Sequence, residues 1–419
     1  MLKDRLGPHV LIGATTWWPL SARLAIAFLR KGCRVSALCP PGHPLRFVSG
    51  VETVYTYGSL DSMRALRSAI AVTKPDLIVP CDDGVVWQLH SLHEREIGLR
   101  MVIERSLGPA EHYATIRSRG TLLQTAEQLG IRIPRTQNID SEAELQSWPQ
   151  ETPSVLKLDG TWGGSGVMIV QSRPEAIAAF RRLATPPSLG LMLKRWLINR
   201  DLLAWWSLQG REKPTVSIQQ YITGRPANTM MACWNGQMLA LVTVEVLAAQ
   251  GAIGAATVVR IVDNPEIEQA ARLLAFRLQL TGFHGLDFVL EEETGAAYLI
   301  ELNPRSTQLG HLHIAGQGDL AGMIVEKLGV KAEAEGRSDC GVGDAVAFFP
   351  QTFIWNPQSP YLRTAYHDVP WEEPKLVRDL MKIWWPDRQL LSRLYHYFRP
   401  PRRPMEVKFD DVTTTALSR

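Results

Sequence analysis

The sequence predicts a multidomain protein, α/β at its amino-terminal end and α+β beyond it. Three observations predict this. Roughly the first 110 residues alternate short apolar runs with amphipathic helical stretches. From about residue 112 the order changes to hairpins flanked by helices. The chain of 419 residues is also too long for one ordinary core, and at roughly 100–200 residues per domain it implies two to four domains.

The elements follow in order. "HVLIGA" is a short buried strand, Ser21 to Lys31 an amphipathic helix, "RVSALCP" a second strand, Leu60 to Thr73 a helix, and "DLIVPCDDG" a strand ending in a polar turn. This alternation gives a parallel, Rossmann-like sheet. Its first strand-to-helix turn, Gly13-Ala-Thr-Thr-Trp-Trp, lacks the later glycines that let backbone approach a pyrophosphate, so a scaffold reading is preferred to dinucleotide binding.

Further on, "RSRGTLLQTAEQLGIRIPRT" is a helix stopped by Gly130 and followed by an extended, proline-containing segment. A glycine-rich hairpin comes next, then a helix from Pro174 to Leu183, the strand "TVSIQQYITG", more strands through Val246, a helix from Pro265 to Leu280 and a strand pair from Gly285 to Asn303. Beyond residue 331, "DAVAFFPQTFI" reads as a strand and Lys375 to Phe398 as one or two helices interrupted by Pro386, with a frayed tail after Pro404. The expected divisions are residues 1–111, 112–330 with a lid at about 150–215, and 331–419.

Composition excludes several classes. With 45% hydrophobic and 21% charged residues the chain is neither collagenous nor disordered. A net charge of +3 with mostly alternating signs argues against nucleic acid. Five scattered cysteines, none in a CxxC pair, argue against a disulfide framework or zinc knuckle and for a reducing compartment. No signal peptide and no apolar run of about 18 residues is read, so the expected location is cytoplasmic.

The residues "HGLDFVLEEETGAAYLIELNPRST" read as an antiparallel hairpin turning near Thr294. Alternation puts Glu301 and Asn303 on one face, with Ile300 and Leu302 in the core, and the turn puts Asp287 opposite Glu301. Two carboxylates about 5 Å apart repel, and a hard divalent cation taking carboxylate and amide oxygens would cancel that cost. By itself the hairpin fits either a magnesium–nucleotide platform or a pair of hydrated acids.

In "VLKLDGTWGGSGVMIV", Lys157 lies on the opposite face of its strand from Leu156 and Leu158, ahead of a loop containing Gly160, Gly163, Gly164, Ser165 and Gly166. Glycines let backbone N–H groups turn toward an anion, and a lysine supplies a point charge. The order is not that of a Walker loop. A merely flexible hairpin is the competing reading.

Taken together, a lysine strand with a glycine-rich hairpin, a strand ending "QQYITG" and a final "LDF…YLIELNPR" resemble the ATP-grasp superfamily, of carboxylate–amine ligase type with a preceding Rossmann-like domain. The resemblance covers about residues 112 to 325, and the last stretch of the chain matches nothing in it. It implies a Rossmann-like domain followed by an ATP-grasp fold with a small hairpin lid subdomain. By the same resemblance, Arg119, Lys157 and the loop from Gly160 to Gly166 would meet the phosphates of ATP. Gln220, Tyr221 and Ile222 would form the hinge beside adenine, Asp287, Glu301 and Asn303 would hold Mg²⁺ (or Mn²⁺), and Arg305 would lie near the transferred phosphate, with Lys157 also counted as catalytic. This sequence departs from the family pattern at "GRPANT", where an acid for the ribose is missing, at Arg119, where lysine is more usual, and at the long stretch Leu191 to Ser207.

The implied activity is an ATP-dependent ligation of a carboxylate to an amine through an acyl phosphate, releasing ADP and phosphate. Phosphoryl transfer or carboxylation on the same fold, or nucleotide binding without turnover, are the alternatives. Small-molecule acid and amine are the implied partners. His311 and His313 lack a third ligand in sequence and read as acceptor-pocket residues, His284 reads as structural, and no cysteine has an activating neighbour. The basic, tryptophan-rich stretches at 193–208 and 375–404 read first as helices packed on the protein's own core, with a peripheral membrane contact or homodimer interface as the alternative.

Overall fold

A computed structural model describes residues 7–57, 62–149, 153–159, 166–185, 215–252, 254–315, 318–330, 340–382, 393–394, 397–398 and 405–409. Three sheets carry most of the chain. The first is parallel and has the strand order Val51–Thr56, Arg34–Cys39, His9–Gly13, Leu77–Pro80. Its two central strands are wholly buried or nearly so, as strands covered on both faces are. Val51–Thr56 is an edge strand that the sequence reading passed over, because its half-exposed side chains give no apolar run.

The turn after His9–Gly13 is held by a carboxylate. Asp82 accepts from Thr15 N (2.5 Å), Thr15 Oγ1 (2.8 Å), Thr16 N (2.9 Å) and Thr16 Oγ1 (3.2 Å), while also capping helix Asp83–Arg95 through Val85 N at 3.1 Å. The N–H groups that would cradle a phosphate here are spent on protein, and a Cβ on Gly13 would lie 2.9 Å from Val85 Cγ1. Close helix–strand packing is therefore what Gly13 serves. "CDDG", read as a polar turn, instead opens that helix, because Asp82 is its N-cap.

The second sheet is antiparallel, in the order Thr136–Ile139, Val216–Gln220, Ser154–Leu158, Val167–Val170. Helix Arg173–Ala184 packs on it through Ala176, Ala179 and Leu183. Residues 221–223 then carry the chain straight into strand Gly224–Trp234 of the third sheet.

Among the described residues that third sheet has eight strands. Its path runs Ala297–Asn303, Gly282–Glu291, Gly224–Trp234, Gln237–Ala249, Ala256–Ile261, Ala345–Ala347, Tyr366–His367, and Val407–Lys408 pairs with Gln237–Ala249 off that path. Helices Arg119–Gln128 and Pro265–Arg277 cover one face, with Leu286, Phe288, Leu299 and Leu302 beneath them. The other face shares a continuous core with the parallel sheet through helices Leu20–Arg30 and Leu320–Lys327.

Three sequence expectations are corrected. Ile300 is not a core residue: a register shift after Asp287↔Glu301 pairs Phe288 with Leu299, so Leu299 is fully buried and Ile300 only partly. "DAVAFFPQTFI" is a strand only at Ala345–Ala347; beyond Pro350 it is the helix Gln351–Trp355, since proline ends a ladder but tolerates a helix start. The tail after Pro404 does not simply fray, because Val407 and Lys408 pair with Ala249 and Ala248, and Glu406 accepts from Thr257 Oγ1 at 3.0 Å and Asn356 Nδ2 at 2.6 Å.

The carboxy-terminal segment is also locked in by charge. Asp368 lies between Arg23 (Nε to Oδ2, 3.2 Å) and His311 (3.1 Å) and accepts Phe349 N at 2.6 Å. Burial raises this carboxyl, but Arg23, His311 and the Phe349 N–H outweigh it and hold it below the usual carboxylate range. Among the described residues no helix is long and apolar enough to cross a membrane. Helix Pro374–Leu380 begins the expected basic helix, whereas residues 383–392 and the stretch 191–207 lie outside the described residues.

Candidate active site at the end of the central hairpin

The hairpin Gly282–Glu291 and Ala297–Asn303 has the register read from the sequence at its functional end: Asp287 faces Glu301 and Gly285 faces Asn303. On its other side Asp287 faces Asn228. Both amides serve the carboxylate, Asn228 Nδ2 donating to Oδ1 at 2.6 Å and Asn303 Nδ2 to Oδ2 at 3.1 Å. Burial, then the charge of Glu301, still push the Asp287 carboxyl up to about 6, the two amides only partly offsetting them.

Arg119, on the first turn of its helix, reaches the same place. Its Nη2 donates to Glu301 Oε1 at 3.0 Å and its Nη1 to Asp159 Oδ1 at 2.9 Å. Its Nε is buried without a hydrogen-bond partner among the described residues. A guanidinium 8% exposed with an unspent donor is suited to an additional oxyanion.

Lys157 is 6% exposed on its strand, with Val167 and Ser217 across from it. Burial, then the Arg119 charge, depress its ammonium to about 8, while Glu301, Asp287 and Asp159 pull the other way. Leu158 N donates to Gly166 O at 2.9 Å and closes the base of the glycine hairpin. Gly160, Gly163, Gly164 and Ser165 lie outside the described residues.

The remaining predicted residues flank this centre. Gln220 N donates to Arg135 O at 2.9 Å, fixing the end of its strand, and Tyr221 and the buried Ile222 form the connection between the two antiparallel sheets. Arg305 directs Nη2 to Asn303 Oδ1 at 3.1 Å and Nε to Asp83 Oδ1 at 3.0 Å. An unbroken chain of contacts thus runs Asp83, Arg305, Asn303, Asp287, Asn228. His311 is committed to Asp368 and is not a free acceptor-pocket residue. His284 is fully buried, with Nε2 3.0 Å from Thr281 O. All five cysteines are free and buried, and burial raises the thiols of Cys33 and Cys39 to about 12, as expected of inert thiols.

Three residues of this centre were missed in the sequence. Asp159 stood inside the quoted lysine loop, one place before the glycines. Asn228 lay in "GRPANT", where an acid was sought. Asp83 carried no local signal, since its partner is 222 residues away.

The donor set suits a hard divalent cation: carboxylate oxygens of Asp287 and Glu301 and the amide oxygen of Asn303, each with lone pairs beyond those already used. The raised Asp287 carboxyl is the electrostatic cost that such a cation would remove.

Residues 207–308 match the family model of the ATP-grasp domain. Among solved structures, an ADP complex of N5-carboxyaminoimidazole ribonucleotide synthetase is 16% identical over 77% of this chain and 78% of its own, with a TM-score of 0.54. The biotin carboxylase domain of 2-oxoglutarate carboxylase from Hydrogenobacter thermophilus is 11% identical over 80% and 72%, with a TM-score of 0.55. An L-amino acid ligase from Bacillus licheniformis is 13% identical over 80% and 79%, with a TM-score of 0.53. Comparison with curated protein sequences gives no match. Residues 207–308 thus match the ATP-grasp domain, the likeness to these structures in fold extends over most of the chain, and the multidomain α/β architecture is the one the sequence predicted.

Proposed function

We propose that this protein is an ATP-dependent carboxylate–amine ligase that activates an acid as its acyl phosphate and releases ADP and phosphate. The observation that carries this reading is the convergence of Asp287, Glu301 and Asn303 with two arginines and Lys157 at one end of a single hairpin.

A carboxylate oxygen is a poor leaving group, and phosphorylation turns it into a good one. Lys157 and Arg119, with the unspent Nε of the latter, would bind the ATP phosphates. Asp287, Glu301 and Asn303 would hold Mg²⁺, which when bound neutralises charge on the phosphates. Tyr221 and Ile222 would receive the adenine, and Arg305 would stabilise the acyl phosphate. One structural neighbour was solved with ADP, magnesium and bicarbonate, and a carboxylation that begins from bicarbonate is the second reading; a nucleotide-binding protein without turnover is the third.

The test is incubation of the purified protein with Mg²⁺-ATP, pooled organic acids and hydroxylamine, followed by mass spectrometry. ATP-dependent hydroxamates supports the ligase and identify the acid by mass. ADP formation that depends on bicarbonate, without hydroxamate, selects carboxylation, and no ADP at all selects binding without turnover.

A further inference from the structure

Arg305 is the only member of the proposed site whose side chain is held, among the described contacts, by a residue of the amino-terminal region, Asp83 at the start of helix Asp83–Arg95. Its turn is pinned twice through the backbone, Arg305 N to Asn303 O at 2.8 Å and Ser306 N to Pro80 O at 2.9 Å. Gly285 makes the turn possible, since a Cβ there would stand 2.5 Å from Thr307 Cγ2. The loop therefore folds over the carboxyl end of strand Leu77–Pro80, beside the first turn of helix Asp83–Arg95. The carboxyl ends of the neighbouring strands His9–Gly13 and Leu77–Pro80 meet there, the latter at the edge of the sheet.

A guanidinium has five N–H donors in a rigid plane. In Arg305 two contacts from different elements fix that plane: Nε–H goes to Asp83 and one N–H of Nη2 to Asn303. The donors left over include those of Nη1, at the end of the fork that meets carboxylate or phosphate oxygens. Asp83 is itself immobilised, because its neighbour Asp82 takes five hydrogen bonds from Thr15, Thr16 and Val85. The Asp83 side chain is 35% exposed and that of Arg305 20% exposed, so this ion pair contributes little to folding.

We propose that Asp83 is a positioning residue for the ligation chemistry: it aims the Arg305 guanidinium at the acyl phosphate, so the amino-terminal domain sets the catalytic arginine instead of serving only as a scaffold. This rests on the ligase reading above. Misplacing such a group by about 1 Å lowers turnover by up to ~10²-fold without weakening nucleotide binding.

The experiment measures ATP-dependent hydroxamate formation, with kcat and the KM for ATP, in wild type, Asp83→Ala, Asp83→Asn, Arg305→Lys and the Asp83→Ala/Arg305→Lys double variant, alongside thermal unfolding. The expected result is a fall in kcat of about tenfold or more in Asp83→Ala with the KM for ATP unchanged. Asp83→Asn, which keeps an oxygen to accept Nε–H, recovers part of the rate, and the double variant is no slower than Arg305→Lys alone. Wild-type kcat in Asp83→Ala overturns the inference, as do additive losses in the double variant or a rate loss that tracks a lowered unfolding temperature. A wild type that forms no hydroxamate with any acid is a different failure, that of the ligase reading, and the inference falls with it.

Discussion

Arg119 donates to Glu301 across 3.0 Å while the other η nitrogen of the same guanidinium holds Asp159 at 2.9 Å. One side chain thus ties the lysine strand to the hairpin and meets the charge of Glu301, to which the proposed function assigns the cation. The Glu301 side chain is 34% exposed, so its removal costs the fold little. Glu301→Ala is expected to abolish ADP formation while leaving the circular dichroism spectrum and unfolding temperature near wild type. Full turnover in that variant would remove the metal assignment.

Lys157 gives a pH prediction. Burial and Arg119 lower its ammonium to about 8. Phosphate oxygens favour the charged form, so binding takes up a proton wherever the free lysine is neutral. Affinity for an ATP analogue should then hold steady below about pH 8 and fall up to roughly tenfold per unit above it. Titration calorimetry in buffers of different ionisation enthalpy reads the proton uptake directly. A dissociation constant that stays flat to about pH 9.5, or one whose pH dependence persists in Lys157→Met, contradicts this role.

Arg23 and Asp368, with side chains 3% and 2% exposed, form a buried ion pair between the first helix and the carboxy-terminal segment. Removing one partner strands the other charge. Asp368→Ala should lower the unfolding free energy by about 3–5 kcal/mol, and an Arg23→Met/Asp368→Leu double variant should recover most of it. Denaturant unfolding decides, and a loss well under about 1 kcal/mol in the single variant would show that the pair does not hold the segment.

Buried histidines, three of them strongly depressed and His9 lowered by burial as well, dominate the response to acid and outnumber the raised Asp287 carboxyl, which opposes them. Burial depresses His43 and His90 to about 3 and His284 to about 4, against an ordinary value of 6.5. In the unfolded chain each takes a proton near 6.5, whereas in the folded protein each stays neutral until much lower pH. The unfolded state binds more protons throughout that window, so stability rises with pH across it and is complete above it. Each histidine contributes a slope of at most about 1.4 kcal/mol per pH unit. The unfolding temperature should drop steadily from about pH 6.5 toward about pH 4. Replacing His90, which stacks on Tyr113 at 3.9 Å, by phenylalanine should flatten that slope. An unchanged slope would contradict it.

The sequence by itself determined whatever neighbouring residues encode. Alternation along two strands joined by a five-residue turn, Glu292 to Ala296, placed Asp287 opposite Glu301, and a lysine just ahead of the glycines marked the second half of the site. Even there the bulge at Ile300 escaped, because an inserted residue changes the register without changing the apolar pattern. Tertiary structure decided the rest. Asn228 reaches Asp287 only because strand Gly224–Trp234 pairs with the hairpin. The short strands Ala345–Ala347, Tyr366–His367 and Val407–Lys408 join the large sheet with too few residues to show a period. Arg119 meets Glu301 across 182 residues and Arg305 meets Asp83 across 222. Side-chain periodicity is local and repeats within a few residues, whereas contacts at such separations depend on how sheets and helices pack against one another, and no stretch of sequence carries that information alone.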